Sequence, residues 1–160
     1  MSGTGRPTAL PDGSGLRIAL VTASWHADLC ELLRERALRG LLDCGATVAQ
    51  DVRVPGALEL PVVAQALAQR YRTHAVIALG VVVRGGTPHF DYVCATTSHA
   101  LAAVALRTGK PVANGVLTCD TLDQAVQRAG GPGAAEDKGW DAALAAVATA
   151  RALRGLGALR

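Results

Sequence analysis

Aromatic side chains are scarce in this chain: Trp, Tyr and Phe together make up 3% of its 160 residues. Its core must be filled by Ala, Val and Leu, so an aromatic outside the core pattern carries more information than usual. Cys30, Cys44, Cys94 and Cys119 form no C-x-x-C pair, and no His-x-His spacing accompanies them. That spacing argues against a metal site and against a disulfide framework. No purely apolar run is long enough to span a bilayer, and no charged start precedes an apolar h-region. Dense basic runs are missing too. The net charge of +3 comes from scattered Arg, which gives nucleic-acid binding little support. The expectation is a soluble protein of a reducing cytoplasm that binds neither membrane nor nucleic acid.

At 50% hydrophobic and 18% charged residues, the composition suits one compact domain with a sizeable core. Residues 1–15 mix Gly, Ser, Thr and Pro without periodicity and read as a loose N-terminal arm, one that could add a strand to a neighbour's sheet edge. Residues 16–160 read as a single domain. Ile18 to Ala23 reads as a strand, followed by a helix with Leu29, Leu33, Ala37 and Leu41 at i+4 spacing, closed by Gly45. Thr47 to Val54 is a second strand. A helix from about Leu58 places Val62, Val63, Ala66 and Leu67 on one face, with Pro61 tolerable in its first turn. Ala75 to Val83 is continuously apolar, as a strand covered on both faces should be. A helix after His89 carries Val93, Thr97, Leu101 and Val104 and ends by Gly109, and Val112 to Thr118 is a fourth strand. Thr121 and Gln124 fit a capping box for a short helix stopping at Gly130, and a last helix from about Ala134 has Trp140, Leu144 and Val147 in phase. Strands alternating with helices in this order predict a doubly wound α/β domain with a parallel sheet.

Ligands of such sheets bind beyond the carboxyl ends of the strands, so the loops there form one constellation. Four contribute: Ser24-Trp25-His26, Pro55-Gly56-Ala57-Leu58-Glu59, Arg84 to Phe90, and the residues around the fourth strand, Ala113-Asn114-Gly115. In the third loop Gly85 and Gly86 let the backbone turn closely around a ligand. Pro88 suits a first helical turn, free N–H groups at a helix start suit a phosphate, and His89 brings a side chain fitted to proton transfer. The set suits a planar heterocycle beside a small phosphorylated molecule. Taken singly, each residue has a plainer reading: Trp25 as rim packing, Glu59 as a macrodipole partner, His26 as a cap, Arg84 as an ion-pair residue, and Arg128 and Lys138 as helix-end cations. The combination is what points to a site.

The motifs Ser24-Trp25-His26, Gly56-Ala57-Leu58-Glu59-Leu60-Pro61, Leu79 through Val93, Asn114-Gly115-Val116-Leu117-Thr118, Arg128-Ala129-Gly130 and Lys138-Gly139 resemble, in order and spacing, the lumazine synthase family. The resemblance runs from Leu16 to the last helix and implies a flavodoxin-like fold, a four-stranded parallel sheet between helices in an α/β/α sandwich. It implies condensation of 5-amino-6-(D-ribitylamino)uracil with 3,4-dihydroxy-2-butanone 4-phosphate to 6,7-dimethyl-8-ribityllumazine in riboflavin biosynthesis, without metal or redox cofactor. It further implies that Trp25 stacks on the pyrimidine, that Ala57, Leu58 and Glu59 hold the ribityl chain, and that backbone of Val81, Val82 and Val83 reads the uracil edge. Gly86 and Thr87 would cradle phosphate and His89 would transfer protons. Asn114 and Arg128 would come from an adjacent subunit, Arg128 as the phosphate cation with Lys138 as a second. Position 86 is Gly where relatives often carry a larger residue. The length of the 130–137 segment implies a homopentamer rather than a sixty-subunit shell. The competing expectation is a flavin- or lumazine-binding assembly protein that keeps the fold and the stacking Trp without turnover.

Overall fold

The computed structural model of the chain describes residues 9–159, so most of the expected arm lies outside the described residues. The elements run β1 (Arg17–Ala23), α1 (Ala27–Asp43), β2 (Thr47–Val54), a 3-10 turn (Ala57–Glu59), α2 (Leu60–Ala68), β3 (Ala75–Val83), α3 (His89–Thr108), β4 (Val112–Cys119), α4 (Leu122–Val126) and α5 (Lys138–Gly155). All strand pairs are parallel, in the order β2-β1-β3-β4. The continuously apolar β3 sits inside the sheet, with every residue from Ala75 to Val81 buried. Its β-branched side chains are covered on both faces, as a parallel strand requires. Helices α1 and α5 pack together on one face, and α2 and α3 on the other, giving the expected three-layer α/β/α sandwich. Ahead of β1, the Gly13 N–H donates to the Cys44 carbonyl (2.7 Å), and Arg151 pairs with Asp12.

Three details depart from the pattern read in the sequence. On α2 the buried residues are Leu60, Ala64, Leu67 and Ala68, whereas Val62 is 67% exposed and Ala66 is exposed as well. The 3-10 turn before the helix rotates its apolar face, so a stripe counted from Leu58 is out of phase. On α1, Leu33, Ala37 and Leu41 are buried, but Cys30 takes the first buried position and Leu29 is only half-buried. A strict i+4 row drifts around a helix with 3.6 residues per turn. Finally, α5 starts at Lys138 rather than near Ala134, because residues 136–138 first run antiparallel to residues 127–129, just after α4. Glu136 N–H donates to the Gln127 carbonyl (2.9 Å) and Lys138 N–H to the Arg128 carbonyl (3.0 Å). Asp137 then caps the helix by accepting from Trp140 N–H (3.1 Å) while its other oxygen holds Arg36. Thr121 caps α4 as expected, accepting from Gln124 N–H, although the Gln124 side chain reaches Asp120 N–H and the helix already ends at Val126.

The α1–α5 contact depends on small residues. A Cβ on Gly139 would collide with the Leu33 carbonyl oxygen, and one on Gly40 would lie 2.8 Å from the Ala143 Cβ. The buried stripe of α5 is Gly139, Ala142, Ala143, Ala146, Val147 and Ala150, so the helix axes approach without bulky side chains between them. Overpacking such a seam costs about 1–3 kcal/mol. Gly139→Ala is therefore expected to lower the urea midpoint clearly, whereas Gly85→Ala, with no atom within 4 Å of the added Cβ, should leave it almost unchanged.

Candidate active site

Four parallel strands bring their carboxyl ends to one edge, and the first two loops there are tied together. Ser24 N–H donates to the Pro55 carbonyl (3.2 Å) and Ser24 Oγ to the Val54 carbonyl (2.9 Å). His26 adopts the left-handed conformation (φ 54°, ψ 55°) and is the one non-glycine residue with positive φ among the described residues. That turn sends Trp25 out of the core, so its side chain is 71% exposed and cannot be explained as interior packing. The indole Cδ1 lies 3.5 Å from where a Cβ on Gly56 would sit, and Glu59 Oε2 lies 3.1 Å from the same point. Glu59 Oε2 also accepts from Gly56 N–H (2.9 Å). An aromatic edge and a carboxylate thus meet at Gly56, beside an open concavity lined by Ser24, Trp25, His26 and Pro55. Ala57, Leu58 and Glu59 form the 3-10 turn that carries the carboxylate.

Next along the edge, β3 pairs with β4 as far as Val83 but with β1 only as far as Leu79. Beyond Leu79, the β1 side of β3, toward which the backbone groups of Val81 and Val83 turn, has no strand beside it, while Val82 lies opposite Thr118 of β4. After them the chain opens at Gly85 and Gly86, where an added Cβ would meet nothing within 4 Å. Thr87 follows, Pro88 occupies the N-cap of α3 (φ −62°), and His89 is its exposed first residue. The helix start thereby places peptide N–H groups and the positive end of its dipole at the glycine loop. Arg84 offers this loop no free cation. Its guanidinium is held by Asp120 (2.6 Å) and Asp91 (3.1 Å) and lies 4.2 Å over the Phe90 ring, which is the structural ion-pair role.

Not every expected residue joins this edge. Residues 113–115 do not form a loop: they lie inside β4, with Asn114 level with Ala78 of β3. Five residues separate that level from Val83, about 16 Å at the usual strand rise. Asn114 is exposed on an edge strand, its Oδ1 accepting from Val116 N–H (3.0 Å). Within one chain it cannot reach the Trp25 concavity. Arg128 and Lys138 are brought together by a residue the sequence pattern did not single out. Glu136 lies 2.5 Å from Lys138 Nζ through Oε2 and 3.6 Å from Arg128 Nε through Oε1, while Arg128 Nη1 donates to the Gln124 carbonyl (2.8 Å). The Lys138 ammonium first, and Arg128 after it, hold the Glu136 carboxyl below its usual range. A depressed folded value means that this pairing stabilises the fold at neutral pH and is lost as pH falls through that value. Glu136 sits in an irregular segment, so no periodicity marked it; the one available signal was the run of opposite charges Glu136-Asp137-Lys138.

Cys30 was also missed as a local contact, because a lone cysteine on a helix reads as core. Among the described residues no group of His, Cys, Asp and Glu could hold a metal ion, and no helix is long and apolar enough to cross a membrane.

Comparison with known proteins accounts for this combination of features. The family model for 6,7-dimethyl-8-ribityllumazine synthase matches residues 15–154. Proteins named 6,7-dimethyl-8-ribityllumazine synthase are similar over nearly the whole chain. The one from Thermobifida fusca is 56% identical over 98% of this chain and 91% of its own length, and the one from Frankia casuarinae 54% over 98% of each. The one from Corynebacterium glutamicum is 56% identical over 90% of this chain and 89% of its own. With a parallel four-stranded sheet, a projecting Trp25 and an open glycine loop before His89, the chain belongs to the 6,7-dimethyl-8-ribityllumazine synthase family.

Proposed function

We propose that this protein condenses 5-amino-6-(D-ribitylamino)uracil with 3,4-dihydroxy-2-butanone 4-phosphate, releasing phosphate and water, as one step of riboflavin biosynthesis. The observation that carries the reading is the meeting of the Trp25 indole and the Glu59 carboxylate at Gly56, on the same sheet edge as the glycine loop that leads into His89. An aromatic face and a carboxylate suit a pyrimidine with a polyol tail. An open loop at a helix start suits a phosphate.

In this reading Trp25 stacks on the pyrimidine, Ala57, Leu58 and Glu59 hold the ribityl chain, and backbone of Val81, Val82 and Val83 reads the uracil edge. Gly86 and Thr87 take the phosphate. The amine attacks the ketone to give a carbinolamine that loses water, phosphate then leaves, and the ring closes. His89 gives and removes protons along that path, a contribution of about 10²- to 10⁴-fold for a positioned acid–base group. Holding the amine and the carbonyl together supplies much of the rest.

The distance of Asn114 from its own chain's concavity supports a site completed by an adjacent subunit, with Asn114 and Arg128 contributed across the interface and Lys138 beside them as a second cation. Glu136 is then the internal counter-ion that keeps both cations in place before phosphate arrives. The assembly we propose is a homopentamer of single-domain chains, each with an N-terminal arm, working in the cytoplasm.

His89→Ala is expected to lower kcat by about 10²- to 10⁴-fold and leave a slow residual rate, while Arg128→Ala should chiefly raise KM for the phosphate substrate. Full activity in both variants would sink the assignment. If the two residues meet across subunits, the inactive variants dissociated, mixed and reassembled should regain activity, with roughly a quarter of interfaces pairing an intact His89 with an intact Arg128. No recovery would place both residues in one chain's site. Light scattering should give a particle about five times the 16.4 kDa chain mass; one near a megadalton would contradict the pentamer.

A further inference from the structure

We infer that Cys30 is a positioning residue for the heterocycle: its buried thiol holds the backbone of the stacking residue Trp25. The inference rests on the substrate reading given above, and adds a residue that touches neither substrate.

Trp25 is an exposed side chain on a turn that L-residues adopt reluctantly. The left-handed His26 costs conformational energy and persists only where its surroundings over-determine it. Two bonds from one residue supply that determination. Cys30 N–H donates to the His26 carbonyl (3.0 Å), and the Cys30 thiol donates to the Trp25 carbonyl (3.1 Å). The sulfur therefore ties the first turn of α1 to the stacking loop.

Protonation is consistent with this role. Burial pushes the Cys30 thiol up to about 11, against smaller opposing effects of the Val81 hydrogen bond and of Arg53. At neutral pH the sulfur carries its hydrogen and can donate to a carbonyl, which a thiolate cannot. Cys30 is fully buried, so the thiol faces neither solvent nor ligand.

The gain is preorganisation. A stacking ring whose backbone is already held in place loses less freedom when a planar ligand settles on it. The plainer role is that of a small core hydrophobe on α1. The two roles separate experimentally, because core filling affects stability alone, whereas positioning affects one ligand more than the other.

The test uses riboflavin, a planar ligand with a ribityl tail, in a fluorescence-quenching titration, together with steady-state kinetics on both substrates. The variants are Cys30→Ala, Cys30→Val and Cys30→Ser, with Cys44→Ala as a control at another buried cysteine. Loss of one hydrogen bond predicts that Cys30→Ala and Cys30→Val weaken riboflavin binding and raise KM for the ribitylaminouracil by about 2- to 10-fold. KM for the dihydroxybutanone phosphate should hold, and Cys30→Ser, which keeps a donor, should restore binding. Cys30→Val leaves no cavity, being slightly larger than Cys, and serves if the alanine variant does not fold. Two results would overturn the inference: all Cys30 variants behaving like Cys44→Ala, with lower stability and unchanged riboflavin affinity, or both substrates' KM values rising together. If the wild type bound riboflavin but formed no lumazine, the substrate reading would fail, while the riboflavin titration would still decide the role of Cys30.

Discussion

All four strands run parallel, and that single constraint places every βα loop on one edge of the sheet. It holds because β3 is apolar on both faces and can only be satisfied inside a sheet covered by helices. The chain returns through a helix between successive strands, so the loops after β1, β2 and β3 converge without any long-range pairing of their own. The close α1–α5 seam, built from Gly40, Gly139 and Ala143, keeps one helical layer tight against the sheet. The edge is thus rigid from below, and the loops add only local turns.

On that edge the side chains divide into those that stay open and those committed to contacts within the protein. Arg84 is committed to Asp91, Asp120 and Phe90 and so steadies the loop whose glycines stay open. Trp25 faces outward instead, and its turn at His26 is energetically uphill, which is unusual in a fold whose other described non-glycine residues avoid positive φ. Strain at a loop that carries an exposed aromatic is where a binding requirement would be expected to override local preference.

Much of this was legible before any coordinates. The run Ala75–Val83, the glycines after it and the proline before His89 have local causes, namely burial on both faces, backbone freedom and a fixed φ, and each appears where the pattern put it. What the sequence concealed depends on tertiary registration. Asn114 groups with the loops in the sequence although it falls within the strand read from Val112 to Thr118, and only the register against β3 shows it level with Ala78, away from the loop edge. The α2 stripe was read out of phase because a 3-10 turn precedes the helix, and α5 began late because residues 136–138 pair with residues 127–129, just after α4. Glu136 and Cys30 act through contacts with residues outside their own periodic pattern, which spacing cannot display.

The central claim is that this edge is a catalytic template for joining two small molecules, and the most direct test is to supply both. Purified protein mixed with 5-amino-6-(D-ribitylamino)uracil and 3,4-dihydroxy-2-butanone 4-phosphate, followed by lumazine fluorescence, should form product well above the rate of the same mixture without protein. Product at only the spontaneous rate, with riboflavin still bound at the Trp25 edge, would contradict the account and leave a binding protein in its place.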